Sequence, residues 1–194
     1  TTREALAYSY NVPAATLLKR IGPKDALDAL RHVGLTTLNR PASHYGLALA
    51  LGSCGAKLSE LTNAYRAFSN HGQWRPMRYD TGRVEEQVEG QTDPIASAAA
   101  YLVADILTDK RRFGGGVAMP EAVRFAWKTG TSNGLRDAWT IAFTPDHTVG
   151  VLLANCSGRG DEALVGIEAA APVAFAIIEE MQKHRSNPKS WLKT

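Results

Sequence analysis

The chain has 194 residues, 44% of them hydrophobic and 21% charged, with a formal net charge of +3. That length supports one domain burying roughly 70% of the surface its unfolded chain exposes, and the composition is that of a folded globular protein. Lysines and arginines are scattered without a stripe, so the electrostatic footprint of nucleic-acid binding is absent, and no apolar run is long enough to cross a bilayer.

In chain order, Thr1-Thr2-Arg3-Glu4 is not a signal peptide, so a targeting segment is not visible here. Pro13 suits an early helical position after Asn11, and Val12, Leu17, Leu18 and Ile21 lead to a stop at Gly22. A second helix follows from Pro23, with Ala26, Leu27, Leu30 and Val33 on one face, and ends at Gly34. Leu58 to Asn70 repeats the helical spacing through Leu58, Leu61, Ala64, Tyr65 and Phe68. Between Gln73 and Gly90, β-prone residues around Asp80-Thr81-Gly82 predict a short hairpin. Asp93-Pro94 then caps a helix whose expected apolar face is Ile95, Ala99, Leu102, Val103 and Ile106.

After Gly114-Gly115-Gly116 the period changes from helical to alternating. Ala122 to Thr131, Asp137 to Phe143 and Thr148 to Ala154 read as three strands joined by short turns, which demand an antiparallel meander. Glu168 to Lys183 reads as an apolar helix able to cover one sheet face. Segregated helices and strands make the fold class α+β. The expected organisation is a domain over 1–184, mainly helical over 1–112 and sheet-bearing over 113–184, followed by a tail or linker over 185–194.

Two short strings carry chemistry. Lys128-Thr129-Gly130-Thr131 ends the first strand, and random order would spell it in roughly one such chain in two hundred. A lysine supplies a fixed positive charge, hydroxyls can hydrogen-bond a carboxylate, and a glycine lets another backbone approach the strand. The bland alternative makes Lys128 a solvated strand end, Thr129 and Thr131 good strand formers, and Gly130 a bulge. Ser9-Tyr10-Asn11 is the second string, for which the bland alternative is a pair of helix-capping residues ahead of Pro13. Arg136 and Asp137 read as a structural ion pair, and Trp139 and Phe143 as core or sheet-face residues. Cys54 and Cys156 are the two cysteines, whose pairing sequence leaves open, and the five histidines show no metal-ligand spacing.

Together these strings resemble the penicillin-binding proteins, whose transpeptidase domain carries Ser-x-x-Lys, a Ser-x-Asn triplet and Lys-Thr-Gly in that order. Ala50-Leu51-Gly52-Ser53, the run Ala64 to Gly72, and Arg136-Asp137-Ala138-Trp139 through Asp146 resemble that family's recurrent segments, so the likeness spans nearly the whole chain. The texture is most similar to the bifunctional class A type, C subtype. The resemblance implies a penicillin-binding protein or serine β-lactamase-like fold, incomplete at its N-terminal side. The Ser-x-x-Lys expected ahead of Ser9 is missing, and Ser186-Asn187-Pro188-Lys189 in the tail is read as a chance match. The chain is therefore expected to be an N-terminally truncated piece, inactive by itself.

By the same resemblance, the intact protein is a D,D-transpeptidase. A serine attacks the D-Ala-D-Ala bond of a peptidoglycan stem peptide and passes the acyl group to an amine. Ser9 would relay a proton, Asn11 would bond the substrate amide carbonyl, and Lys128 would keep the site positive and hold Ser9. Thr129 and Thr131 would bind the substrate carboxylate, Gly130 would let the substrate backbone approach, and the Thr131 N–H would form half of an oxyanion hole. β-Lactam antibiotics would bind the same groups, and no cofactor or metal is called for. The intact protein would be anchored upstream on the outer, periplasmic face of the cytoplasmic membrane with a glycosyltransferase domain. The alternatives are a β-lactamase-like hydrolase and a non-catalytic β-lactam sensor. A sheet lacking its outer strands would expose an edge, from which self-association is expected.

Overall fold

The computed structural model describes residues 1–79, 94–109, 123–186 and 191. Three strands form its centre: β1 (Ala126–Thr131), β2 (Asp137–Phe143) and β3 (Thr148–Ala154), in the order β1-β2-β3 with both pairings antiparallel. β2 and β3 carry the predicted bounds, whereas β1 pairs only from Ala126, opposite Phe143. The pairing starts there because Thr144 leaves β2 to close a turn on the His147 carbonyl, and Ala122 lies outside the described residues.

Side chains alternate between the two faces of a strand, and both faces are covered here. Against one lies the C-terminal helix, whose Phe175 sits 5.0 Å from the Phe125 ring and 5.4 Å from Trp127, measured between centroids. This α-helix runs Ala171–Lys183 and not from Glu168, because Pro172 has no N–H to continue a ladder and is tolerated only in a first turn. A wide turn of i→i+5 type, Gly166–Ala170, precedes it.

The opposite face receives two helices, Leu58–Ser69 and Ser97–Leu107. With the earlier helices Thr2–Ala7, Asn11–Ile21, Pro23–His32 and the single turn Ala42–Tyr45, these complete α1 to α7 in chain order. Ala104, Leu107, Ala126 and Phe143 form a buried cluster there, against which Leu6 of α1, Tyr65 and Phe68 of α5 and Trp191 pack. α6 corrects the expected apolar face in part, since Val103 of that face does pack on the cluster. Ala100, Ala104 and Leu107 are buried, whereas Leu102 is more than half exposed. Its sequence is apolar nearly all round, so periodicity could not choose a face, and small alanines mark the side of close approach. Asp93 lies outside the described residues, and Ala96 stands at the helix start without a side-chain cap. Of the predicted hairpin, residues 73–79 carry no strand and 80–90 lie outside the described residues.

A second helical layer holds Leu18, Leu27, Tyr45 and Leu49, drawn from α2, α3, α4 and the 3-10 turn Gly46–Leu51, together with Leu35 and Leu38 of the loop between α3 and α4. α5 reaches the sheet through Gly150 on β3, where a Cβ would run into the Thr62 hydroxyl and stand 3.0 Å from Leu58 Cδ1. Gly150→Ala is therefore expected to overpack this contact and destabilise by about 2 kcal/mol, lowering the melting temperature by roughly 4–8 °C in a thermal scan.

Candidate active site

Ser9 sits where α1 hands over to α2. Its N–H donates to the Leu6 carbonyl at 3.3 Å, the Tyr10 N–H donates to Ala5 at 2.9 Å, and Ser9 itself has φ of 56°. That is a Schellman ending with serine in the left-handed position that glycine ordinarily fills, at a cost of about 1 kcal/mol. Neither Ser9 nor Asn11 caps a helix. Tyr10 is the N-terminal boundary of α2, it makes no side-chain cap, and Ser9 and Asn11 are exposed. The capping reading is thereby corrected: local structure explains neither side chain, and glycine would serve the turn better than serine. Tyr8 and Tyr10, exposed and stacked at 5.8 Å, flank Ser9.

The Lys-Thr-Gly-Thr string occupies β1 from its midpoint to its end. Alternation divides it. Trp127 faces α7, so Thr129 and Thr131 share that side. Ala126 lies in the cluster with α6, so Lys128 and Gly130 face the helices that include α1. Lys128 and the segment ending at Ser9 therefore stand on the same side of the sheet. Lys128 is half-buried, and its ammonium donates to the Thr129 carbonyl at 2.7 Å.

The backbone alternates as well. Ser132 turns its N–H toward β2, donating to the Asp137 carbonyl at 3.0 Å. In an antiparallel ladder its neighbour Thr131 must then point its N–H the other way, toward the edge where no described strand pairs with β1. The edge thus offers an outward N–H at Thr131 and the ammonium of Lys128 beside the outward carbonyl of Thr129. Gly130 is not a bulge, since the register is unbroken from Ala126 to Thr131. A Cβ placed there would meet only the Trp139 Cβ at 3.6 Å, an ordinary contact, so nothing in the described fold requires glycine at this place.

Thr131 has an anchor that sequence did not reveal. Its hydroxyl oxygen accepts from the Gly166 N–H at 2.9 Å, while the Thr140 hydroxyl donates to the Gly166 carbonyl at 3.2 Å. Gly166 approaches so closely that a Cβ would strike the Gly130 carbonyl and stand 2.9 Å from that of Trp139. The Thr131 oxygen is thus engaged as an acceptor, which still leaves the hydroxyl a proton to donate. The turn beyond is held by the Ser132 hydroxyl, which accepts from the N–H groups of Arg136 at 3.2 Å and Asp137 at 2.8 Å. Arg136 and Asp137 make no ion pair with each other, because adjacent residues leave the strand in opposite directions.

Cysteine chemistry finds no support. Cys54 and Cys156 are both free, and burial pushes the Cys54 thiol up, away from the reactive thiolate. Among the described residues no group of histidines, cysteines and carboxylates could hold a metal ion.

Comparisons with known proteins agree in kind. A family profile described as the penicillin binding protein transpeptidase domain matches residues 1–179. Penicillin-binding protein 1C of Escherichia coli (strain K12) is 34% identical over 172 residues, covering 88% of this chain and 22% of that protein. Penicillin-binding protein 1A/1B of Bacillus subtilis (strain 168) is 26% identical over 171 residues, covering 77% and 19%. The chain therefore spans about a fifth of the length of these relatives. Among solved structures, PonA1 of Mycobacterium tuberculosis in complex with penicillin V superposes with a TM-score of 0.77 at 20% identity, over 96% of this chain and 57% of that one. Penicillin-binding protein 1A of Haemophilus influenzae gives 0.71 at 17% identity, over 97% and 35%.

Proposed function

Since the chain belongs to the penicillin-binding protein transpeptidase family, we propose that it forms the part of a D,D-transpeptidase that grips the substrate and handles its charge. The nucleophile is supplied by a Ser-x-x-Lys segment outside these residues. The observation that carries this reading is the edge of β1 that no described strand covers, with an outward N–H at Thr131, an ammonium at Lys128 and an unfilled glycine between them.

An extended stem peptide ending in D-Ala-D-Ala lies along that edge as an added strand, and a β-lactam occupies the same place. The Thr129 and Thr131 hydroxyls take the terminal carboxylate, while Lys128, on the other face of the strand, keeps the site positive and holds Ser9. When the serine attacks the scissile carbonyl, electrons move onto its oxygen, and the Thr131 N–H stabilises that charge without reorganising. The C–N bond then breaks, Ser9 relays a proton to the departing D-alanine amine, and the acyl-enzyme waits for an acceptor amine. Asn11 holds the substrate amide carbonyl. The likeness to penicillin-binding protein 1C supports a class A protein with an upstream glycosyltransferase domain and membrane anchor, working outside the cytoplasmic membrane. β3 ends the described sheet, and its outer edge is where a second copy would pair.

The test uses a form extended upstream through a Ser-x-x-Lys helix, given a D-Ala-D-Ala stem peptide and an amine acceptor. Crosslinked dimer with release of D-alanine is the expected product. Rapid catalytic turnover of a chromogenic cephalosporin, with no crosslinked product, would identify a hydrolase instead.

A further inference from the structure

We propose that Asp105 is a positioning residue, a carboxylate strut that fixes the Ser9 segment relative to the Lys128 strand. One carboxylate reaches both. Its Oδ2 accepts from Arg3 Nη2 at 2.6 Å, and its Oδ1 lies 3.7 Å from Arg124 Nη2. Arg3 belongs to α1, the short helix that ends at Ser9, and Arg124 stands just ahead of β1, whose midpoint is Lys128. Asp105 itself rides on α6, between the two.

The surroundings make the pairing specific. Arg124 Nη2 also donates to the Thr108 hydroxyl at 3.3 Å, and that hydroxyl donates to the Asp105 carbonyl at 2.9 Å, so the receiving end on α6 is fixed at two points. The Arg124 carbonyl accepts from Trp191 Nε1 at 3.2 Å. Beneath the charges, Leu6 packs on the cluster of Ala104, Leu107 and Ala126, which joins the same three segments. A helix as short as α1, with no fully buried residue of its own, has only Leu6 on that cluster and the turn into α2 to set its angle besides.

Exposure separates this role from ordinary stabilisation. Arg3 and Asp105 are 45% and 30% exposed, and ion pairs this accessible contribute little to global stability. A small displacement of a proton-relaying group, by contrast, can lower a rate a hundredfold. Asp105 is therefore expected to move the rate and the spacing while leaving the melting temperature nearly unchanged.

The inference of spacing stands on the geometry, and its catalytic consequence rests on the transpeptidase reading, so the experiment measures each separately. In the 194-residue chain with Cys54 and Cys156 replaced by serine, spin labels are placed through Val12→Cys and Asn133→Cys, and the distance distribution is recorded by pulsed dipolar spectroscopy. The parent is expected to give one narrow distance. Asp105→Asn, Arg3→Ala and Arg124→Ala should each at least double its width, with the Arg3→Ala/Arg124→Ala pair no broader than either alone and Asp105→Glu largely restoring it. In the upstream-extended form, Asp105→Asn should lower the second-order rate of penicillin acylation about tenfold, and Asp105→Glu should recover most of it. An unchanged width in all three variants overturns the strut. A broadened distance with unchanged acylation upholds the strut and overturns instead the assignment of Ser9 and Lys128 to the reaction.

Discussion

Lys128→Ala is expected to slow covalent acylation by a β-lactam at least a hundredfold, in a form of the protein that includes the Ser-x-x-Lys segment. The ammonium is half-buried and donates to an outward carbonyl of its own strand, so it stands at the ligand edge and not in open solvent. In the proposed reaction a positive charge fixed there does two things. It attracts the carboxylate that anchors the ligand, and it lowers the energy of the anionic centre formed when the serine attacks. Loss of a preorganised donor facing developing charge typically costs a factor of about 10² to 10³. Folding should be little affected, because the Thr129 carbonyl is left at an edge that water can reach. Stopped-flow acylation together with a thermal scan checks both halves. A variant that acylates at the parent rate would remove Lys128 from the mechanism, and one that fails to melt cooperatively would show a structural role.

The second result is all-or-none. The 194-residue chain is expected to give no band that survives boiling after incubation with fluorescent penicillin, whereas the upstream-extended form labels in proportion to its nucleophile. In the proposed mechanism every group at the β1 edge binds, orients or shuttles protons, and none is positioned by sequence pattern as an attacking serine. The tail adds a specific control. Beside Ser186-Asn187-Pro188-Lys189 stands a second string with the same spacing, Ser190-Trp191-Leu192-Lys193, so the tail offers two serines to exclude, Ser186 and Ser190. A stable label lost on Ser186→Ala or Ser190→Ala would move the nucleophile into the tail, and loss on Ser186→Ala would overturn the reading of Ser186-Asn187-Pro188-Lys189 as chance.

The sheet is legible in the sequence because alternation and short turns leave little freedom. Asp137 to Phe143 and Thr148 to Ala154 must flip sides residue by residue, and a two-sided core accepts one register. α1 is not among the helices read from the sequence, because the apolar pattern draws no attention to it, yet a local signal marks its start. Thr1 and Glu4 spell a capping box, and both reciprocal bonds are present. α6 is not legible in its orientation, since an all-round apolar helix shows no stripe. At the site, sequence supplies the residue types and their order but not the division of labour across β1. That Lys128 faces α6 while Thr131 is tied to Gly166 depends on a contact between residues far apart in the chain, and no local pattern encodes it.

Under the proposed relay, Ser9 sets the domain's interest in folding against its interest in chemistry. Glycine at that left-handed position would relieve about 1 kcal/mol of backbone strain. Stability alone would therefore favour replacing the serine. In a gene duplicate released from cell-wall synthesis but still selected to fold, Ser9 is the position where drift toward glycine is rewarded. A serine that persists there would mark the proposed relay as still in use.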